Sequence, residues 1–262
     1  MMSRRLKAYN TAVESENKIH DDDTARKFGF AGGLVPGVEV HGYLAWGPVA
    51  AWGEDWLRRG QMSSRYKLPT YDGQEISVTF DEGSGEAQVV NPDGTPVSFA
   101  QAEIPTDEPP RIDLSRYAEG PLPDAPPAAS PQTLAVGTQL GSIEIDFPDE
   151  KAQTYLADVR EELPLYTERG YAHPGWVLGL ANLALLKNVT LGPWIHVGST
   201  VRNLGVIEPG AHVSTRGFVS DEYEKSGHRF VDLDLVVLAD DTPVAMIAHT
   251  AIYRPRQVAD AG

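Results

Sequence analysis

The sequence predicts an α+β fold made of two copies of one unit, each an antiparallel sheet around a single apolar helix. Three observations lead there. Two strongly apolar segments, Val38–Leu57 and Val177–Asn188, each follow a Pro-Gly pair, Pro36-Gly37 and Pro174-Gly175. After each comes a set of about four strand-like runs separated by hairpin-type turns. Between the two sets, residues 105–131 hold eight prolines and few large apolar side chains, the composition of an extended connector. The predicted division is residues 1–104, a connector at 105–137, and residues 138–262, two versions of one plan.

Taken in order, residues 3–13 alternate loosely and suggest a first strand. Asp21-Asp22-Asp23-Thr24 before Ala25-Arg26-Lys27-Phe28 suggests a short helix with acids in its first turn and bases in its last, ended by Gly29. Val38–Leu57 is apolar on nearly every face, as a buried helix is, and Pro48 is expected to kink it or mark a break because proline lacks an amide donor. Strands are expected at Arg65–Thr70, Gln74–Phe80, Glu86–Asn91 and Pro96–Ile104. In the second copy a strand is expected at Leu140–Phe147 and a helix at Pro148–Arg160. Further strands are expected at Ile195–Asn203, Ala211–Ser220, Phe230–Ala239 and Pro243–Tyr253. The five tryptophans are expected to fill the core or the seam between copies.

Charge and composition exclude several function classes. The chain of 262 residues carries a formal net charge of −15, which repels nucleic acid. No apolar run reaches the roughly 18–20 residues that span a bilayer, and MMSRRLKAYN has no apolar h-region, so a cytoplasmic protein without membrane attachment is expected. Without cysteine there is no thiolate nucleophile and no Cys-ligated metal. His20 has no second histidine at ligand-like spacing, so neither a metal nor another cofactor is expected.

The chemistry-bearing stretch is Ser15–Tyr43, where Asn17, His20 and four nearby acids precede the glycine-rich turn Gly29–Gly33 and Pro36-Gly37. His20 is read as an acid–base group or as a fold-holding histidine. Asn17 is read as a positioning group or a helix cap. Gly33 and Gly37 either offer amides to a ligand or permit close chain approach. The acids Asp21–Asp23 read as helix-start charge, and His173 as a packing or capping residue.

The layout resembles the hotdog fold, and the pair of copies a double hotdog. Asn17, Ile19, His20, Ala25, Gly29, Phe30, Gly33 and Gly37 are similar to the motif of MaoC-like dehydratases and (R)-specific enoyl-CoA hydratases. The resemblance implies a hydro-lyase acting on an enoyl or β-hydroxyacyl thioester of CoA or an acyl carrier. In it His20 moves protons, Asn17 positions water, and an amide near Gly33 or Gly37 polarises the thioester carbonyl. It also places Ser15 at the family's Asp position and Lys18 at its Pro. In the second copy Leu163-Pro164-Leu165-Tyr166 stands where Asn-Pro-Ile-His would be, with Glu161 at the Asp position. The family pattern therefore implies at most one complete site. From its position alone, Tyr166 is expected to reach into a pocket between the copies as a hydrogen-bond donor to substrate. The alternatives are a thioesterase using Glu39 on the first helix and a non-catalytic acyl-thioester-binding protein; Lys18, Arg26 and Lys27 are the nearest cations for a carrier. A homo-oligomer is compatible with this reading.

Overall fold

The computed structural model describes residues 1–12, 17, 20, 25–26, 30–147 and 149–256, with backbone alone at 149–152. Five strands come from residues before the proline-rich connector: β1 (Met2–Lys7), β2 (Gln61–Tyr66), β3 (Glu75–Asp81), β4 (Glu86–Val90) and β5 (Pro96–Glu103). Five follow it: β6 (Ile143–Asp146), β7 (Ile195–Asn203), β8 (His212–Lys225), β9 (His228–Ala239) and β10 (Thr242–Arg254). All ten form one antiparallel sheet in the order β1-β3-β4-β5-β2-β7-β10-β9-β8-β6. Read outward from the central β2–β7 pair, the two sides carry equivalent strands in the same order, a pseudo-two-fold arrangement. Ser64 pairs with Ser199 at this seam.

The helices are α1 (Gly37–Arg59), α2 (Asp149–Asp158), α3 (Pro164–Arg169) and α4 (Pro174–Asn188). The long helices α1 and α4 are the apolar segments, each packed on its own side of the sheet. They meet at glycines: a Cβ on Gly175 would stand 2.9 Å from the Val38 carbonyl and 3.2 Å from Gly42 Cα. Gly47 plays a similar part against the sheet, where a Cβ would strike the Phe80 side chain.

Several boundaries differ from expectation. The first strand is Met2–Lys7 and ends well before Val13. The central strand runs Gln61–Tyr66 instead of Arg65–Thr70; its inward positions include Ser64, a buried polar side chain that interrupts the apolar alternation. The expected kink at Pro48 is absent as a backbone break. Pro48 sits inside α1, and the non-helical residue is Gly53 (φ 59°, ψ −143°), a conformation glycine adopts without a Cβ penalty. Of the short helix expected at residues 21–28, Ala25 and Arg26 are helical and the remainder lies outside the described residues. Trp56 and Trp194 are buried, and Trp194 lies on the seam.

The two sides are interlocked. Leu156, Val159, Tyr166 and Tyr171, from the stretch before α4, belong to the core around α1, and Val38 from α1 belongs to the core around α4. Asn17, from the stretch before α1, reaches the Trp194 backbone next to β7. The second side thus covers the first with its pre-α4 segment, and Asn17 ties the first side to the second. Among the described residues no helix is long and apolar enough to cross a membrane.

Candidate active site

Asn17 and His20 are linked by a local turn in which His20 N–H donates to the Asn17 carbonyl (3.3 Å). The Asn10 side chain then donates to the His20 carbonyl (2.9 Å), and Gly33 lies against that same carbonyl with no room for a Cβ. Gly33 therefore acts by allowing close approach and is not among the residues lining the cavity described below. These contacts set the backbone so that the His20 ring faces inward.

The ring has a defined tautomer. His20 Nδ1 lies 2.7 Å from the Leu34 carbonyl, a pure acceptor, so Nδ1 carries the proton. Nε2 is then the acceptor, and the Asn17 side-chain amide donates to it (3.3 Å). Asn17 is held across the seam: its Nδ2 donates to the Trp194 carbonyl (3.1 Å) and its Oδ1 accepts from Trp194 N–H (3.4 Å). Burial lowers the His20 pKa from its ordinary value, offset in part by the Leu34 hydrogen bond, so the ring is neutral at pH 7.

Asn17 and His20 open onto a cavity of about 250 Å³ between the two sides. One wall is the approach to α1 and its first turn, Leu34–Gly37; the opposing wall is Trp194, His196 and Ile252 from the second side. Gly37 is the first residue of α1, where the backbone amides have no partner inside the helix and the helix dipole favours negative charge. A Cβ at Gly37 would sit 2.7 Å from His196 Nδ1, so glycine is what lets the helix start and β7 close on one another.

Sequence reasoning brought Asn17, His20 and Gly37 to one place. It missed His196, whose signal is a histidine within strand β7, between apolar neighbours Ile195 and Val197. Ser15, Lys18 and Lys27 lie outside the described residues. Arg26 does not line the cavity; among the described residues the cation that does is Lys67, exposed at the rim with its ammonium 4.6 Å from the Phe99 ring centre.

Two expectations are corrected. Tyr166 does not line the cavity: it is buried in the core around α1, its ring 4.9 Å from that of His173, and its hydroxyl has no partner among the described residues. Glu39 is likewise outside the cavity lining. Its carboxylate is buried against α2, accepting hydrogen bonds from Tyr155 (2.5 Å) and Thr11 (2.8 Å). Burial raises its pKa, while those two hydrogen bonds oppose the shift. His173 caps α4, its Nδ1 accepting from Gly175 N–H (3.2 Å).

No family model matches the chain, and no curated protein matches it in sequence. Solved structures do. A MaoC-like dehydratase superposes with a TM-score of 0.58 at 13% identity, covering 97% of this chain and 98% of the other. A putative MaoC domain protein dehydratase from Chloroflexus aurantiacus J-10-fl gives 0.59 at 9% identity, covering 97% and 95%. A conserved hypothetical protein from Mycobacterium tuberculosis with a double hotdog fold gives 0.57 at 14% identity, covering 96% of each chain. The fold is a MaoC-like double hotdog. In this double hotdog the duplicated units share one sheet, and the cavity lies where the first unit's pre-helix segment crosses onto the second.

Proposed function

We propose that the protein hydrates an enoyl thioester, or dehydrates the corresponding β-hydroxyacyl thioester, at the His20 cavity. The observation that carries this reading is the neutral His20, its Nε2 accepting from the Asn17 amide, at a cavity that the start of α1 also lines. The MaoC-like fold and the sequence motif around His20 are consistent with it.

In the hydration direction, His20 Nε2 removes a proton from water as the hydroxyl oxygen bonds to Cβ. The electron pair of the Cα–Cβ double bond moves onto the thioester oxygen as an enolate. Amide N–H groups of the first turn of α1, at Gly37, stabilise that charge. The protonated His20 then returns its proton to Cα, and the thioester carbonyl re-forms. Leu34 holds the ring by Nδ1–H and supports the imidazolium while it exists. One group thus handles both proton transfers, which suits a chain with Ser15 at the family's carboxylate position. Lys67 at the rim is the cation placed to meet a phosphate of the thioester's carrier.

Hydrolysis through Glu39 is not favoured, because that carboxylate is engaged by Tyr155 and Thr11 away from the cavity. Incubation with trans-2-enoyl-CoAs of four to eight carbons, followed by loss of the conjugated absorbance, tests the proposal. Turnover is expected, with kcat reduced about 10²–10⁴-fold in His20→Ala. No turnover at any length, or turnover indifferent to His20, overturns it.

A further inference from the structure

Strand β7 carries an irregularity that β2, its counterpart across the seam, lacks. Side chains alternate along a strand, and Ser199 faces inward, paired with Ser64 and with His249. His196, three residues earlier, would by that alternation face outward. The register of β7 on β10 shifts between Thr250 and Ala251: Gly198 pairs with Thr250, His196 pairs with Ala251, and Val197 is the extra residue of a β-bulge. A bulge re-aims the side chains beyond it. His196 accordingly turns inward and is buried. The β2–β5 pairing runs without a shift, and Gln61, three residues before Ser64, stays outward and donates to Glu103 (3.3 Å).

The re-aimed ring meets the start of α1. An ideal Cβ on Gly37 would lie 2.7 Å from His196 Nδ1 and 3.1 Å from Tyr66 Cε2, and those two rings pack edge to face with 4.8 Å between centres. The ring is also pinned from behind. Ser199 Oγ donates to the Gly198 carbonyl (2.8 Å), so its lone pairs accept from His196 Nε2–H (2.8 Å) and His249 Nδ1–H (3.0 Å). His196 Nδ1 is left unprotonated and turned toward the first residue of α1, where a lone pair suits the positive end of the helix dipole. Two residues before it, the Trp194 backbone holds the Asn17 side chain through both its carbonyl and its N–H (3.1 and 3.4 Å). The entry of β7 thus grips the first unit's site at two points, the acid–base side through Asn17 and the amide side through Gly37.

Resting on the thioester reading above, we propose that His196 is a positioning residue: turned inward by the bulge at Val197, it seats the first turn of α1 on β7 and so sets where the Gly37 amide stands relative to His20. It acts through the helix start. Misplacing a group of this kind by about 1 Å can cost on the order of 10²-fold in rate.

A double-mutant cycle in steady-state hydration of trans-2-hexenoyl-CoA tests this. Gly37→Ala drives a methyl against the ring and is expected to lower kcat about 10–100-fold; His196→Ala is expected to lower it about tenfold, with KM changed less than about threefold in each. In the His196→Ala background the methyl has room, so adding Gly37→Ala should cost less than about threefold more. Should His196→Ala fail to fold, Ser199→Ala, which frees the ring from its anchor without removing it, is expected to lower kcat and to soften the Gly37→Ala loss in the same way. Losses that simply multiply overturn the proposal, as does a lowered unfolding midpoint in His196→Ala with kcat unchanged; both results leave the His20 chemistry standing. A wild-type protein that hydrates no enoyl-CoA overturns the proposal together with its thioester basis.

Discussion

The two pre-helix segments of this duplicated chain occupy equivalent places and have become different things. Around His20 the first segment lines a cavity together with the start of α1 and carries a neutral imidazole whose Nε2 accepts from Asn17. Around Tyr166 the second is packed shut. Glu161 meets His173 Nε2 (3.4 Å) and the Arg4 guanidinium (3.5 Å), and Tyr166 stacks obliquely on His173. Burial pushes the Glu161 pKa up, but His173 and Arg4 outweigh it and hold the carboxyl below its usual range. The comparison teaches that the two copies diverged: one keeps a cavity at its pre-helix histidine, while in the other Glu161 became a latch joining β1, the pre-α4 segment and the α4 cap.

Breaking the latch should produce the largest effect. Glu161→Ala leaves Arg4 and His173 without their carboxylate in a buried setting and is expected to cost about 3–5 kcal/mol in urea unfolding. Folded protein remaining at low denaturant should keep the turnover proposed for His20, since the latch does not line the cavity. An unfolding cost under about 1 kcal/mol would show that the Glu161 contacts to Arg4 and His173 hold nothing.

The seam sharpens the contrast through pH. Burial lowers the pKa of His41 and of His249 from the ordinary 6.5 to about 3, with His173 adding to the effect on His41. In the fold these groups bind fewer protons than in the unfolded chain, so stability is full above pH 6.5 and is lost as pH falls toward 3. By pH 5 the pair should remove about 4 kcal/mol, roughly 2 for each ring. Unfolding midpoints between pH 7 and 5 should show this slope, and replacing His249 with Asn should flatten it. A flat profile in the wild-type protein would refute the assignment. Turnover should follow another curve, persisting below pH 6.5 because His20 is also held neutral by burial.

The smallest expected effect is Tyr166→Phe. The hydroxyl is buried without a partner, so its removal should be neutral or stabilising by about 1 kcal/mol, with turnover unchanged. Loss of turnover would mean that this residue reaches the substrate after all.

Much of the fold was legible because hairpin turns and apolar runs are local signals. Gly73, Gly85 and Gly94 turn at positive φ where the sequence marks turns, and Ile195–Asn203 has the bounds its pattern predicts. What was not legible depends on distant neighbours. The central strand β2 carries Ser64 inward because Ser199 lies opposite and His41 hydrogen-bonds its Oγ (3.0 Å), so polarity hid the strand. The exchange of pre-helix segments was equally hidden. Without it Glu39 reads as a free helix carboxylate, whereas Tyr155 and Thr11 in fact occupy it, and Tyr166 reads as a cavity residue. His196 entered the site from the other unit, which no motif in the first unit could announce.

The central claim is that His20, and not its counterpart Tyr166, does chemistry in this molecule. The most direct test is steady-state hydration of a trans-2-enoyl-CoA by His20→Asn and Tyr166→Phe, each confirmed folded by its unfolding midpoint. The account predicts a kcat reduced by about 10²–10⁴ in His20→Asn and within twofold of wild type in Tyr166→Phe. Equal rates in the two variants would contradict it.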